Sequence, residues 1–360
     1  MTSIAITNPY AWPHVKRGSE TLALGLAGWL RGQGIDARLV AGGPPPRRYD
    51  VDGVPVHLVP APDLRRIHHD LDGLLTHVPA MAAELARRRD DVVHALLYGD
   101  ALAARLARRP YVVHYGGIAV RRGFDDHRIR WRAFAAGTRG AAAVISPSQA
   151  AADHLRAEFG VDAVVIPNAI DCARFSASTP TEPGRILCAA TPDDARKRVP
   201  VLVAAFGTVA RCHPDARLVL AGAAGDATRR ELRTLVDPRT AERIEFLGDI
   251  DQDALAHEYA RAATTCLPSL REAFGLVLVE SLAAGTPAVG AHDGAIPEIV
   301  DDSVGGTFPP DDVEACATAL LRSLELAEDR ATAGACVARS MHFDWGTIGP
   351  RWIDLYRSVA

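Results

Sequence analysis

Two hydrophobic rhythms alternate along the chain. Short continuous apolar runs of strand length are separated by stretches in which apolar residues recur every three or four positions. Residues 3–7 read as a first strand and Ala37–Ala41 as a second, with Leu22, Leu26, Trp29 and Leu30 at helical spacing between them. Strand, loop, helix, strand is the repeating unit of a parallel α/β sheet. Pro44–Pro46 mark a loop, and Asp52-Gly53 predicts a hairpin turn. Asp91–Leu97, Tyr111–Tyr115 and Ala142–Ile145 are further short strands, the second ending in His114-Tyr115-Gly116-Gly117. Ser146-Pro147-Ser148 predicts a capped helix running to Phe159.

After Val164–Pro167 and Asn168–Asp171, the stretch Ser176–Gly184 is rich in Ser, Thr and Pro and marks a domain boundary. A second alternation then begins at Ile186 and continues through Leu218–Ala221, Ile244–Leu247, Thr264–Leu267 and Ala288–Ala291. The tail, Trp345–Val359, reads as a closing amphipathic helix. The expected division is a first α/β domain over 1–170, a second over 171–344, and a final helix over 345–360. A chain of 360 residues is long enough for two such cores.

Composition narrows the class. With 48% hydrophobic and 23% charged residues the chain reads as soluble and globular, and a formal net charge of −4 gives no drive toward nucleic acid. The opening MTSIAITNPY lacks the basic and long apolar regions of a signal peptide, and no apolar run reaches transmembrane length without a charge. The six cysteines are scattered without a CxxC pair, as expected for buried thiols in a reducing cytoplasm. A run of arginines between Arg121 and Arg139, interleaved with Phe124, Trp131 and Phe134, reads first as a solvated helix face; an anionic acceptor or an acidic membrane surface is the other partner such a run suits.

Candidate chemistry gathers at strand ends. Leu267–Ala284, LPSLREAFGLVLVESLAA, predicts a strand end, a short loop carrying Glu272, and a largely buried helix opening near Phe274-Gly275. Glu280 within so apolar a helix is costly unless hydrogen-bond donors meet it, and the vicinal diol of a ribose supplies two. The free amides at the helix start attract phosphate. Glu272 is then placed to reach what lies beyond the phosphate. Arg196-Lys197-Arg198 follows the strand beginning at Ile186, where cations neutralise a diphosphate leaving group. In the first half, Lys16-Arg17-Gly18-Ser19-Glu20 precedes the first helix, and Gly18 there permits close approach of a ligand.

Other patterns carry no chemistry. Four DxD triplets (Asp50–Asp52, Asp70–Asp72, Asp249–Asp251, Asp251–Asp253) are a chance frequency rather than four metal sites. There is no phosphate-binding Gly-Lys-Ser/Thr loop, no dinucleotide fingerprint among Gly25, Gly28, Gly32 and Gly34, and no Gly-x-Ser-x-Gly elbow. The thirteen histidines show no metal-ligand spacing.

Glu272-Ala273-Phe274-Gly275-Leu276 followed by Glu280 resembles the E-x7-E signature of retaining glycosyltransferases of the GT-B fold, and more narrowly the large family 4. Gly18, Asp91–His94, Asn168–Asp171, Lys197, Phe246-Leu247-Gly248, Pro268-Ser269, Gly294 and Pro297-Glu298 extend the resemblance over nearly the whole chain. It implies two Rossmann-like parallel-sheet domains facing across a cleft, with acceptor side 1–170, donor side 171–344, and a last helix, 345–360, crossing back to the first domain.

The resemblance also implies roles. Glu280 would hold ribose hydroxyls and Glu272 hydroxyls of the donor sugar. The amides of Ala273, Phe274, Gly275, Leu276 and Val277 would receive the diphosphate or sugar, Lys197 would neutralise the leaving phosphate, and Gly18 would let the first domain close over it. Three positions depart from the family pattern. Thr191 stands where an arginine is usual, which leaves Arg196 or Arg198 as substitutes. Ala273 and Ala169 replace small residues of other kinds. The family histidine aligns with Gly116, so His114 and Gly116 are both candidate sugar or acceptor contacts.

The implied activity is transfer of a sugar from a UDP-, GDP- or dTDP-sugar to an acceptor hydroxyl, with retention and without metal or cofactor. The acceptor is a small molecule or an envelope lipid, and the expected place is the cytoplasm or the inner face of the membrane. Two alternatives stand beside it: a nucleotide-sugar-binding protein without transfer activity, and a non-hydrolysing sugar-nucleotide epimerase.

Overall fold

The computed structural model describes residues 3–11, 18–43, 47–176 and 179–360. Lys16, Arg17 and Pro44–Pro46, named above as loop residues, lie outside them. The chain divides into two compact units, residues 1–169 with 345–360, and residues 170–344.

In the first unit the strands are β1 (Ser3–Asn8), β2 (Asp36–Gly42), β3 (Arg47–Val51), β4 (Val54–Val59), β5 (Val92–Ala95), β6 (Tyr111–His114), β7 (Ala143–Ser146) and β8 (Val164–Val165). They form one sheet in the order β3-β4-β2-β1-β5-β6-β7-β8, parallel except where β3 meets β4. The exception is the expected hairpin: Asp52 and Gly53 both have positive φ, and the Asp50 carboxylate accepts from the Gly53 amide at 2.7 Å. The crossovers are α1 (Gly18–Gly32), α2 (Val78–Arg88), α3 (Tyr98–Leu106), α4 (Arg128–Arg139) and α5 (Gln149–Phe159). Ser148 caps α5 by accepting from the Ala151 amide at 3.1 Å, as its position predicts. Phe134 of α4 is fully buried among Phe124, Trp131 and Phe159, and Arg121 lies over the Trp131 ring at 5.6 Å. The aromatic residues of the arginine-rich run thus pack on the core, Phe134 within it and Phe124 and Trp131 half-buried against it, while Arg121, Arg122, Arg128, Arg132 and Arg139 are exposed.

The second unit has β9 (Arg185–Ala189), β10 (Arg217–Ala221), β11 (Ile244–Gly248), β12 (Thr264–Leu267), β13 (Ala288–Ala291) and β14 (Gly305–Phe308). Its all-parallel sheet has the order β11-β10-β9-β12-β13-β14. Between the strands run α6 (Val199–Cys212), α7 (Asp226–Arg233), α8 (Pro238–Ala241), α9 (Gln252–Arg261), α10 (Leu276–Ala283), α11 (Ile296–Ile299), α12 (Val313–Leu326) and α13 (Arg330–Ser340). The reversal of strand order beside β9 creates the kind of switch point at which open α/β sheets bind ligands. Strands buried on both faces account for the continuous apolar runs, since Ile186, Leu187, Leu218, Val219, Cys266 and Leu267 are all fully enclosed.

The last helix, α14 (Trp345–Val359), belongs to the first unit. Its buried face is Trp345, Ile348, Trp352 and Tyr356, which share a core with Leu22 and Leu26 of α1 and with Ile4, Ile6 and Val92 of the sheet. Trp29 stacks on Trp345 at 6.2 Å. No helix among the described residues is long and apolar enough to cross a membrane.

Candidate functional site

The charged residues singled out in the second half sit on two loops, after the neighbouring strands β9 and β12. In the first loop Asp194 accepts from the Arg196 amide at 2.9 Å and from the Arg196 guanidinium at 2.7 Å, closing a single 3₁₀ turn over Ala195–Lys197. Burial pushes the Asp194 carboxyl up, but the hydrogen bonds from Arg196 outweigh it and hold the group below its usual range. Arg198 takes a left-handed conformation at the start of α6, and its guanidinium donates to Asp311 at 2.6 Å. Both arginines considered as substitutes for the one missing at Thr191 are therefore paired with aspartates in this conformation.

The second loop is held from below. The Arg271 amide donates to Asp293 at 2.6 Å, and the Glu272 carbonyl accepts from the Ala295 amide at 2.8 Å. Gly294 has φ of +57°, and a Cβ there would lie 2.2 Å from the Glu272 carbonyl oxygen, so only glycine fits this crossing. The two loops are joined by the Leu270 amide, which donates to the Arg196 carbonyl at 2.8 Å. With both backbones fixed, Lys197 Nζ meets Glu272 Oε2 at 2.8 Å. The pair is about one-fifth exposed on each side, 24% and 19%. A cation and an anion thus stand together, within reach of solvent, at a strand-end edge.

Beside them α10 begins. Gly275 is its N-cap with φ of +100°, and Phe274 anchors the start by packing edge-on against Phe343 at 5.5 Å. Ala273 is buried, and Leu276 and Val277 are half-buried. The first amides of the helix have no partner within it, which makes this end attractive to anions.

One turn on, Glu280 is only 8% exposed. The Tyr259 hydroxyl of α9 donates to its Oε2 at 2.8 Å. Burial raises the Glu280 carboxyl to about 7, against the lowering effect of that hydrogen bond and of the Arg174 charge, and it drives the Tyr259 phenol well above its usual value. Sequence reasoning missed Tyr259, because it lies 21 residues from Glu280 on a separate helix and no local spacing joins the two. It also passed over Ser269 as anything but a landmark; this residue is 1% exposed and its hydroxyl has no partner among the described residues.

Gly18, His114 and Gly116 belong to the first unit. Gly18 is the exposed first residue of α1 rather than a loop residue before it. Gly116 is exposed just past β6, with open space where a side chain would stand. His114 departs from its expected role. It is fully buried with neither ring nitrogen partnered among the described residues, its ring lying 5.5 Å from His94 and 5.4 Å from Trp352. Burial pulls its pKa down to about 4. The side chain is a core residue here, which removes it from the surface a sugar would meet.

The histidines are less scattered than their spacing implied. His68, His69 and Asp70 bring ligand-type atoms within 4.8 Å of one another. Asp70 is already committed, however: it accepts from His127 and from the Ile129 amide, and the Arg130 guanidinium lies 3.4 Å away. A fixed cation on the same carboxylate opposes a second one.

Comparison with known proteins matches the chain to a family. Residues 16–174 match the family described as Glycosyltransferase Family 4, and residues 183–326 match Glycosyl transferases group 1. The chain is 32% identical over 209 residues to a phosphatidyl-myo-inositol mannosyltransferase of Mycolicibacterium smegmatis, covering 56% of this chain and 53% of that protein. It is 31% identical over 226 residues to a glycogen synthase of Mycobacterium tuberculosis, covering 59% and 53%. The chain spans about half the length of the curated relatives it matches. Among solved structures, the sucrose-phosphate synthase of Thermosynechococcus elongatus superposes with a TM-score of 0.84 at 22% identity, covering 99% of both chains. Anabaena HepE in complex with UDP superposes at 0.76 and 22%, covering 99% of this chain and 100% of that one. The two family matches, which between them cover both units, and the shared two-sheet fold agree: the chain belongs to the group 1, family 4 glycosyltransferases of the GT-B fold.

Proposed function

We propose that the protein transfers a sugar from a nucleoside-diphosphate sugar to an acceptor hydroxyl, with retention at the anomeric carbon and without a resident metal. The observation that carries this reading is the Lys197–Glu272 pair at 2.8 Å, set beside the open start of α10 with Glu280 one turn further on. Along that line the ribose meets Glu280, the diphosphate meets the amides around Phe274–Val277, and the sugar hydroxyls meet Glu272. The relatives' names point the same way, since they describe a mannosyltransferase and a glycogen synthase, and HepE was solved with UDP.

In the step proposed, the bond from the anomeric carbon to the diphosphate oxygen breaks while the acceptor oxygen bonds the same face. The acceptor proton passes to the departing phosphate, leaving a glycoside and a nucleoside diphosphate. Lys197 neutralises charge that grows on the phosphate, which is the kind of stabilisation that lowers the barrier most. Glu272 and Glu280 serve as hydrogen-bond acceptors for hydroxyls rather than as nucleophiles. Gly18, Arg196 and Gly116 are carried as further donor- or acceptor-side contacts on the family pattern alone.

Incubation with UDP-, GDP- and dTDP-sugars and a range of hydroxyl acceptors tests the reading. A new glycoside with the donor's anomeric configuration, formed in the presence of a chelator, is expected. A donor epimer would favour an epimerase, and binding without product would favour a nucleotide-sugar-binding protein. Lys197→Ala is expected to lower turnover by about 10²- to 10³-fold while the protein stays folded; unchanged turnover would remove the leaving-group role.

A further inference from the structure

We propose that Tyr259 is a positioning residue that holds the Glu280 carboxylate in the orientation and charge state needed to accept a nucleotide's ribose diol. This rests on the donor-site reading above, in which Glu280 meets the ribose. Among the described residues, Tyr259 is the only hydrogen-bond partner of that carboxylate. It takes Oε2, and Oε1 is left for an incoming hydroxyl.

Tyr259 is well built for holding. It is fully buried, its ring meets Phe175 edge-on at 6.0 Å, and its carbonyl accepts from the Thr286 hydroxyl at 2.7 Å, just past the end of α10. The backbone of α9 is thereby tied to the turn that follows the helix bearing Glu280. A glutamate in the middle of an apolar helix would otherwise sample several rotamers, and ordering them on binding weakens affinity.

The hydroxyl also acts on charge. A carboxylate accepts from two ribose hydroxyls with charge-assisted strength, whereas a neutral carboxyl must itself donate one bond. Burial favours the neutral form of Glu280, and the Tyr259 O–H opposes burial by donating more strongly to the charged one. Without the Tyr259 hydroxyl the backbone of the site would stay in place, but Glu280 would lose its fixed orientation and part of its preference for a diol.

The test compares binding of UDP and GDP with their 2′,3′-dideoxy counterparts by calorimetry across pH 5.5–8.5, in the wild-type protein, Tyr259→Phe and Glu280→Gln. The wild type is expected to favour the ribose forms by roughly tenfold or more, the worth of one to two charge-assisted hydrogen bonds. Tyr259→Phe should cut that ratio several-fold and move the pH midpoint of ribose-form binding upward, and Glu280→Gln should bring the ratio close to one. An equal loss of both forms in Tyr259→Phe would reduce the tyrosine to a packing role and overturn the proposal. So would a wild-type ratio in Tyr259→Phe with the ratio lost in Glu280→Gln, an outcome that leaves the donor site standing. A wild-type ratio in Glu280→Gln would overturn the ribose role itself, and the proposal with it. Should Tyr259→Phe fail to fold, protein grown with 3-fluorotyrosine carries a stronger phenolic donor, and its pH midpoint must move downward for the proposal to survive.

Discussion

On the proposed donor-site reading, Glu280 couples stability to ligand binding. Its carboxyl titrates at about 7 in the folded protein, against about 4.3 in an unfolded chain. The folded state therefore holds the proton more tightly. The stability this confers is present in full below the unfolded value and is lost as pH rises from about 4.3 through 7. A shift of this size corresponds to roughly 4 kcal/mol. Glu280→Gln should flatten that slope, read as the denaturant midpoint at pH 5 and pH 8; an unchanged slope would place the titration elsewhere. If the ribose meets Glu280 as proposed, its hydroxyls favour the carboxylate, so UDP should stabilise the protein more at pH 8 than at pH 5. Glu272 and Glu280 were legible from sequence because their spacing is local to one loop and the helix after it, and Lys197 because it stands in a basic cluster that follows the strand beginning at Ile186. Tyr259 was not, because the bond it makes to Glu280 spans two helices.

At the level of elements, the loop that carries Glu272 is shaped by the turn beneath it. Asp293-Gly294-Ala295 supplies an acceptor, a passage without a side chain and a donor to the backbone of Arg271-Glu272. Gly294→Ala forces a methyl into the Glu272 carbonyl at a left-handed φ, and both effects act together. Destabilisation of about 2 kcal/mol or more is expected by denaturant unfolding, with a raised donor KM because Glu272 must move. Wild-type KM and stability together would show that the turn does not position the carboxylate. Most strands were readable because buried parallel strands read as unbroken apolar runs, whereas several crossover helices, α2, α3, α9 and α12 among them, were not read from their periodicity. His114 shows the limit of that reading. A polar residue at the end of an apolar strand looks the same whether it faces a ligand or the underside of a helix 238 residues later.

For the molecule as a whole, acid should act on the first unit in the opposite sense from Glu280. His94 and His114 are fully buried beneath Trp352 and Tyr356, and burial lowers both, His114 to about 4. A histidine whose folded pKa is depressed keeps the fold stable above its unfolded value near 6.5, and that stability is lost as pH falls from there toward 4. Loss of tryptophan fluorescence burial between pH 6.5 and 4 is the expected sign, and His114→Phe should move it to lower pH; the same acid midpoint in that variant would clear His114 of the effect. That both ends of the described chain serve one unit could not be read from composition or local pattern, because the tail's helical period says that it packs without saying on what.

The seat of α14 has a further consequence, for the order in which the protein is made. A ribosome delivers β1 first, then every residue of the second unit, and only then the helix that closes the core of the first. At about 5–20 residues per second, the nascent first unit waits on the order of ten seconds or more for Trp352 and Tyr356, with His94 and His114 open to water and an apolar surface exposed. The second unit, continuous in the chain, can fold to completion in that interval. A slow stretch of translation anywhere between residues 170 and 344 lengthens the wait and with it the exposure to aggregation or chaperone capture.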